Sequence, residues 1–129
     1  MKFTQEMKDM MKVQLAYIAT VDEEGNPNIG PKRTTRVLDD HRLIFCENTD
    51  GQHHKNIKSN GKISVVFIDR ENNAGFRFVG KATSYTDKEK MDLAEKFAGV
   101  RPKAACVIID VEKAYTMASG PKAGKLITE

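Results

Sequence analysis

The sequence has no tryptophan, and aromatics make up only 7% of its 129 residues, so a single chain builds a modest core and an oligomer would bury more. It has two cysteines, Cys46 and Cys106, and its first twelve residues lack the apolar centre of a signal peptide. Both thiols are therefore expected to be reduced core residues, and the expected location is the cytoplasm. No apolar run approaches the ~20 residues of a membrane span. A net charge of +3 without a long Lys/Arg run argues against nucleic acid as a partner. Sequence signatures of the CxxC, GxSxG, HExxH and GxGxxG types are missing, so nothing local points to a zinc, serine-hydrolase or dinucleotide site.

What is present is a succession of short strands with three helices, consistent with one domain over residues 1–129 and a tail at 118–129. Residues 4–12 read as a helix capped by Thr4, with Met7, Met10 and Met11 on one face. Strands are predicted at 15–21, 28–38, 42–47, 62–69, 75–85 and 104–111, the last continuing after a bend, and the one at 28–38 is bent near Gly30-Pro31. A helix covers 52–59 and stops at Asn60-Gly61. Another follows a Thr86–Glu89 capping box and stops at Gly99. The apolar strand at 62–69 calls for cover on both faces, by a helix or a partner subunit. The tail reads as extended or loosely ordered. The expected fold is mainly β: a six-stranded antiparallel barrel with up-and-down or Greek-key connections and flanking helices.

Two features favour an anion. Lys32, Arg33 and Arg36 lie close together beside Thr34 and Thr35. By period two, Lys32, Thr34 and Arg36 share one face of a strand, and Arg33 and Thr35 share the other. A solvated barrel exterior would carry the same charges. Gly51, Gln52, His53, His54 and Lys55 then place donors beside the free N–H groups of a helix start, where negative charge is favoured. Adjacent His53 and His54 diverge by about 100° on a helix and are poorly placed to share a metal. The residues alone thus lead to an anion or phosphate site on a small β-barrel, with no metal assigned.

The run Pro27-Asn28-Ile29-Gly30-Pro31-Lys32, the segment Thr35-Arg36-Val37-Leu38-Asp39-Asp40, the pair Glu47-Asn48 and the run Gln52-His53-His54-Lys55-Asn56-Ile57 resemble the pyridoxamine 5'-phosphate oxidase-like family of FMN-binding split-barrel proteins. The resemblance extends through 63–69, 75–82 and the helix after Thr86. It implies a six-stranded split barrel of Greek-key type and a homodimer with FMN at the interface. By that resemblance, Gly30, Pro31, Lys32, Arg33, Thr34, Thr35 and Arg36 contact the flavin edge and the phosphate. Glu47 and Asn48 lie beside the flavin, and Gly51, Gln52, His53 and His54 complete the phosphate site. Many relatives carry a Lys-Thr or Arg-Lys pair where this chain has Gln52-His53. The chain also ends at Leu126-Ile127-Thr128-Glu129 without an arginine-rich extension, so a substrate other than pyridoxamine 5'-phosphate is expected.

The implied function is an FMN-dependent oxidoreductase for a small substrate, with NAD(P)H or another small molecule as electron donor or acceptor. Lys32 would stabilise the reduced flavin electrostatically. No side chain is assigned as a covalent or acid/base catalyst. Competing readings are a non-catalytic FMN-binding or electron-transfer protein, a haem-binding split barrel using His41, His53 or His54, and an interaction module with an empty barrel.

Overall fold

The computed structural model describes residues 1–128; Glu129 lies outside the described residues. Its elements run α1 (Gln5–Val13), β1 (Ala16–Val21), β2 (Pro27–Pro31), β3 (Arg36–Val37), β4 (Arg42–Glu47), α2 (Gln52–Asn60), β5 (Lys62–Asp69), β6 (Ala74–Tyr85), α3 (Lys88–Ala98) and β7 (Ala105–Thr116). The seven strands form one antiparallel sheet in the order β2-β1-β5-β6-β7-β4-β3, curled into a half-barrel. Within it β5, β6 and β7 are consecutive, and β4 lies beside β7, which is a Greek-key arrangement.

The strand count corrects the six expected. The stretch expected as one strand over 28–38 is two, because Lys32–Thr35 turns away from the sheet. The Thr35 backbone N–H and hydroxyl both donate to the Lys32 carbonyl, at 3.3 and 2.8 Å, and close that turn. The period-two faces expected for residues 32–36 therefore do not exist.

The inner face buries Ile18, Leu43, Phe45, Ile63, Val65, Phe67 and Phe78. Phe3, Phe67 and Phe76 pack around Phe78 with ring centroids 5.3–6.2 Å apart. Thr4 caps α1 as expected, accepting from Met7 N–H at 3.2 Å, and the helix sends Met7 and Met11 into this core. Helix α3 covers the opposite face of β4 and β7 over Ile44, Cys46, Cys106 and Ile108. Cys46 and Cys106 are free, buried and directly paired across β4 and β7.

It is β4 and the first half of β7, then, that are covered on both faces. β5 alternates, with Ser64 and Val66 half-buried and Ile68 exposed on its outer side. The cap of α3 is Asp87, one residue after the expected Thr86, and its carboxylate accepts from Lys90 N–H at 3.2 Å. Gly61 and Gly99 end α2 and α3 in the left-handed conformation that favours glycine. Gly80 sits at a bulge where a Cβ would fall 1.9 Å from the Asp110 carbonyl oxygen. The tail is folded back rather than extended: Ile127 N–H donates to the Ala114 carbonyl at 2.8 Å, and Leu126 bridges Tyr115. No helix among the described residues is long and apolar enough to cross a membrane.

Candidate functional site at the capped end of the barrel

At one end of the barrel the inward positions turn polar. Thr20 follows Ile18 on β1, Glu47 follows Phe45 on β4, and Ser84 follows Ala82 on β6. Helix α2 lies over this end, with Ile57 in the core and His53, His54 and Asn56 meeting the polar groups.

Glu47 is fully buried. Its Oε1 accepts from Lys32 Nζ at 2.8 Å. Its Oε2 accepts from Thr49 N–H and Oγ1, each at 3.1 Å, and from Asp50 N–H at 2.8 Å. Burial pushes this carboxyl up, but the Lys32 hydrogen bond and charge, with the loop N–H groups, outweigh it and hold it below the usual value. Lys32 and the loop donors are thus engaged by the chain's own carboxylate, and Lys32 is a compensated charge. Its ammonium also lies 5.5 Å from the Phe45 ring centroid.

The two adjacent histidines diverge, as the helical spacing requires. His54 is buried, with Nδ1 2.5 Å from Asp50 Oδ1 and Nε2 2.8 Å from Ser84 Oγ. Asp50 holds a positive φ of 50° to make this contact, and the His54 hydrogen bond holds its carboxyl below the ordinary range. The series carboxylate–imidazole–hydroxyl fastens the start of α2 to β6. His53 Nδ1 instead lies 2.7 Å from Thr20 Oγ1. Its Nε2 is buried without a partner among the described residues, 3.5 Å from where a Cβ on Gly30 would sit. Burial, then the Lys32 charge, pushes the His53 pKa down, with Glu47 opposing.

The remaining predicted site residues divide. Arg33 is exposed at the tip of the turn after Pro31, and its carbonyl accepts from the Arg36 guanidinium at 2.9 Å. Thr34 Oγ1 accepts from Cys46 N–H at 2.9 Å, which clips the turn to β4. Thr35 is buried and closes the turn. Asn48 is exposed and accepts from Lys103 N–H at 3.0 Å. Gln52 donates to Asn56 Oδ1 at 2.7 Å. Gly51 caps α2 without a side-chain hydrogen bond, and no acidic residue occupies the first turn. The structure therefore brings Gly30, Lys32, Glu47 and His53 together. His41 stands at the opposite end of β4, where it is paired with Asp39 at 3.0 Å. Among the described residues no group of three or more His, Cys, Asp or Glu is arranged to hold a metal ion.

Sequence reasoning missed Thr20, Thr49, Asp50, Asn56 and Ser84. For Thr20 and Ser84 a signal exists: each is a hydroxyl at an inward period-two position of an otherwise apolar strand.

A sequence model of the family described as pyridoxamine 5'-phosphate oxidase matches residues 3–118. The crystal structure of HupZ from Group A Streptococcus superposes with a TM-score of 0.84 at 49% identity, covering 95% of this chain and 99% of that one. An uncharacterized protein of Methanocaldococcus jannaschii is 30% identical over 135 residues, spanning 99% of this chain and 89% of its own length. An FMN-binding protein from Syntrophomonas wolfei shares the fold, with a TM-score of 0.75 at 16% identity over 88% of this chain and 84% of that one. With a match running from the start of α1 past the end of β7, the chain belongs to the pyridoxamine 5'-phosphate oxidase family.

Proposed function

We propose that this protein binds FMN at the capped end of the barrel, as a homodimer, and uses it to oxidise or reduce a small substrate. Family membership supports the flavin. The observation that carries the position is the meeting of the Gly30–Lys32 segment with Glu47 and with His53 at the start of α2, the stretches that the family resemblance assigns to the flavin. These residues fit a flavin nucleotide: one neutral polar ring, one compensated ion pair, and the exposed cations Arg33 and Lys55 nearby in sequence on each side.

The flavin, when bound, supplies the hydride or electron chemistry. The chain's own residues position it. Glu47 orders the loop before α2 through Thr49 and Asp50, and His54 with Asp50 and Ser84 holds the first turn of α2 against β6. The dimer is supported by the outer face of β2, β1 and β5, where Ile29, Tyr17 and Ile68 are 72%, 43% and 45% exposed. NAD(P)H or another small molecule is the proposed electron donor.

Titrating the purified protein with FMN while recording visible absorbance and flavin fluorescence tests the reading. Bound flavin with a structured, shifted spectrum is expected, together with a dimeric mass by size-exclusion chromatography with light scattering. A protein that changes neither signal in excess FMN refutes it. Turnover of NAD(P)H with a panel of acceptors then separates an enzyme from an electron carrier.

A further inference from the structure

At the end of the barrel away from α2 the core is left open. A cavity of about 540 Å³ lies there between α1, the start of β6, the last residue of β7 and the tail. Its walls are mostly apolar, with Phe76 and Ile127 beside the small side chains of Ala74 and Ala118. The tail shapes this mouth through its backbone. Thr116 N–H donates to the Lys125 carbonyl at 3.0 Å, and Gly124 N–H donates to the Thr116 carbonyl at 2.8 Å. Residues 117–124 therefore leave β7 and return to the same residue as an arch. Met117 N–H donates to the Gly75 carbonyl and the Ser119 hydroxyl to Asn73 Oδ1, each at 2.8 Å, which pins the arch to the start of β6. Held mainly by main-chain bonds, the arch keeps its place without side chains filling the space beneath it.

Two charged groups line this space from different elements: Glu6 from the first turn of α1 and Lys122 from the arch. Among the described residues neither side chain has a hydrogen-bond or ion-pair partner, although Lys2, Lys8, Lys88 and Arg101 all find carboxylates. The Thr116 hydroxyl also lines the cavity. Its oxygen accepts from Ala118 N–H at 3.4 Å, which leaves its hydrogen to be donated. An apolar space with a few convergent polar groups, in the mouth of a β-barrel, is the usual form of a small-molecule site, and its volume lies in the usual range. Phe67 and Phe78 are buried in the barrel beyond it. Phe76 at this end and Ser84 at the other stand about 25 Å apart along β6. The mouth is thus separate from the end capped by α2.

We propose that this mouth binds a small zwitterion with an apolar body, of the class of the hydrophobic α-amino acids. The body lies against Phe76 and Ile127, the ammonium meets Glu6, and the carboxylate meets Lys122 and the Thr116 hydroxyl. The charges decide the class. A ligand with only a cation would face Lys122 uncompensated, and one with only an anion would face Glu6. A neutral ligand would draw both groups away from water without pairing either. The walls all belong to one chain and come from four of its segments, which suits a small molecule better than a strand or helix of a partner. Binding here does not rest on the flavin reading and is expected with or without FMN.

The test is an amide proton–nitrogen NMR titration of the nitrogen-15-labelled full chain with three probes: L-phenylalanine, phenethylamine, which lacks the carboxylate, and 3-phenylpropionate, which lacks the amine. L-Phenylalanine at millimolar concentration is expected to shift the amides of 74–76 and 116–122, and to bind about threefold more tightly than either analogue. Glu6→Gln should weaken L-phenylalanine and phenethylamine about threefold and leave 3-phenylpropionate no weaker. Lys122→Gln should weaken L-phenylalanine and 3-phenylpropionate and leave phenethylamine no weaker. Ala118→Leu, which fills the mouth from the arch, should abolish binding of all three, with its fold checked by circular dichroism and thermal melting. No shift with any probe, shifts centred on α2, or binding of all three that neither charge variant changes overturns the proposal. The same amides moving with protein concentration alone would place a second copy in the mouth and overturn it as well.

Discussion

Lys32 Nζ lies 2.8 Å from Glu47 Oε1, in an ion pair whose carboxylate is wholly out of solvent at the capped end of the barrel. The lysine comes from the turn after β2 and the glutamate from the end of β4, so this contact joins the β1–β2 hairpin to the β3–β4 hairpin at the other end of the strand order. A cation expected to await an anion is instead matched by the chain's own carboxylate.

Removing one half of this pair should cost more than removing both. Lys32→Met strands a buried carboxylate and is expected to destabilise the fold by ~3–5 kcal/mol, while Lys32→Met/Glu47→Gln recovers at least half of that. Urea denaturation at pH 7 measures both. The Glu47 carboxyl is held below its ordinary value of 4.5 in the fold, so its contribution is present above that value and is lost as pH falls through the folded-state pKa. Without Lys32 burial dominates, and the sign should invert, with the single variant gaining stability in acid relative to the wild type.

His53 has its own pH window. Its folded-state pKa is depressed below 6.5 by burial and by Lys32, so the unfolded chain binds the extra proton first. Stability should be complete above 6.5 and decline as pH falls towards the folded-state value. His53→Gln should flatten this portion of the stability–pH curve, as followed by thermal melting between pH 5 and pH 8.

Ser84 is the partner of a buried imidazole nitrogen. Ser84→Ala leaves His54 Nε2 without its hydroxyl at 2.8 Å and should cost about 1–2 kcal/mol. The effect should be local: amide hydrogen exchange should accelerate in the first turns of α2 before it changes in β6 and β7.

Two glycines should respond oppositely to alanine. At Gly80 a Cβ would collide with the Asp110 carbonyl at 1.9 Å across the bulge, and about 2–4 kcal/mol should be lost. At Gly30 the same Cβ meets only the His53 ring at ordinary contact distance, so stability should stay within ~0.5 kcal/mol of wild type. Denaturant midpoints for the two variants make the comparison.

Much of the fold was legible because it rests on local chemistry. Thr4 caps α1, Gly61 and Gly99 terminate α2 and α3, and β5 and β6 lie within a residue of where alternation and turn residues put them. The misreadings share one cause. Residues 32–35 satisfy strand patterning, yet Lys32 is drawn inward by a carboxylate 15 positions away, and the chain turns. Thr86 and Asp87 are both good caps, and the choice between them falls where β6 leaves the sheet. His53 and His54 look alike in sequence, but one meets Thr20 and the other Ser84, residues 33 and 30 positions distant.

By itself the sequence determined the periodic elements and the methionine and phenylalanine core, since each depends on side-chain type at short spacing. Only the tertiary structure decided that Glu47 claims Lys32, that α3 covers β4 rather than β5, and that one imidazole nitrogen is left facing Gly30. Those outcomes depend on which buried polar groups meet across the curled sheet, and a group withdrawn from water pairs with whatever the packing brings within reach.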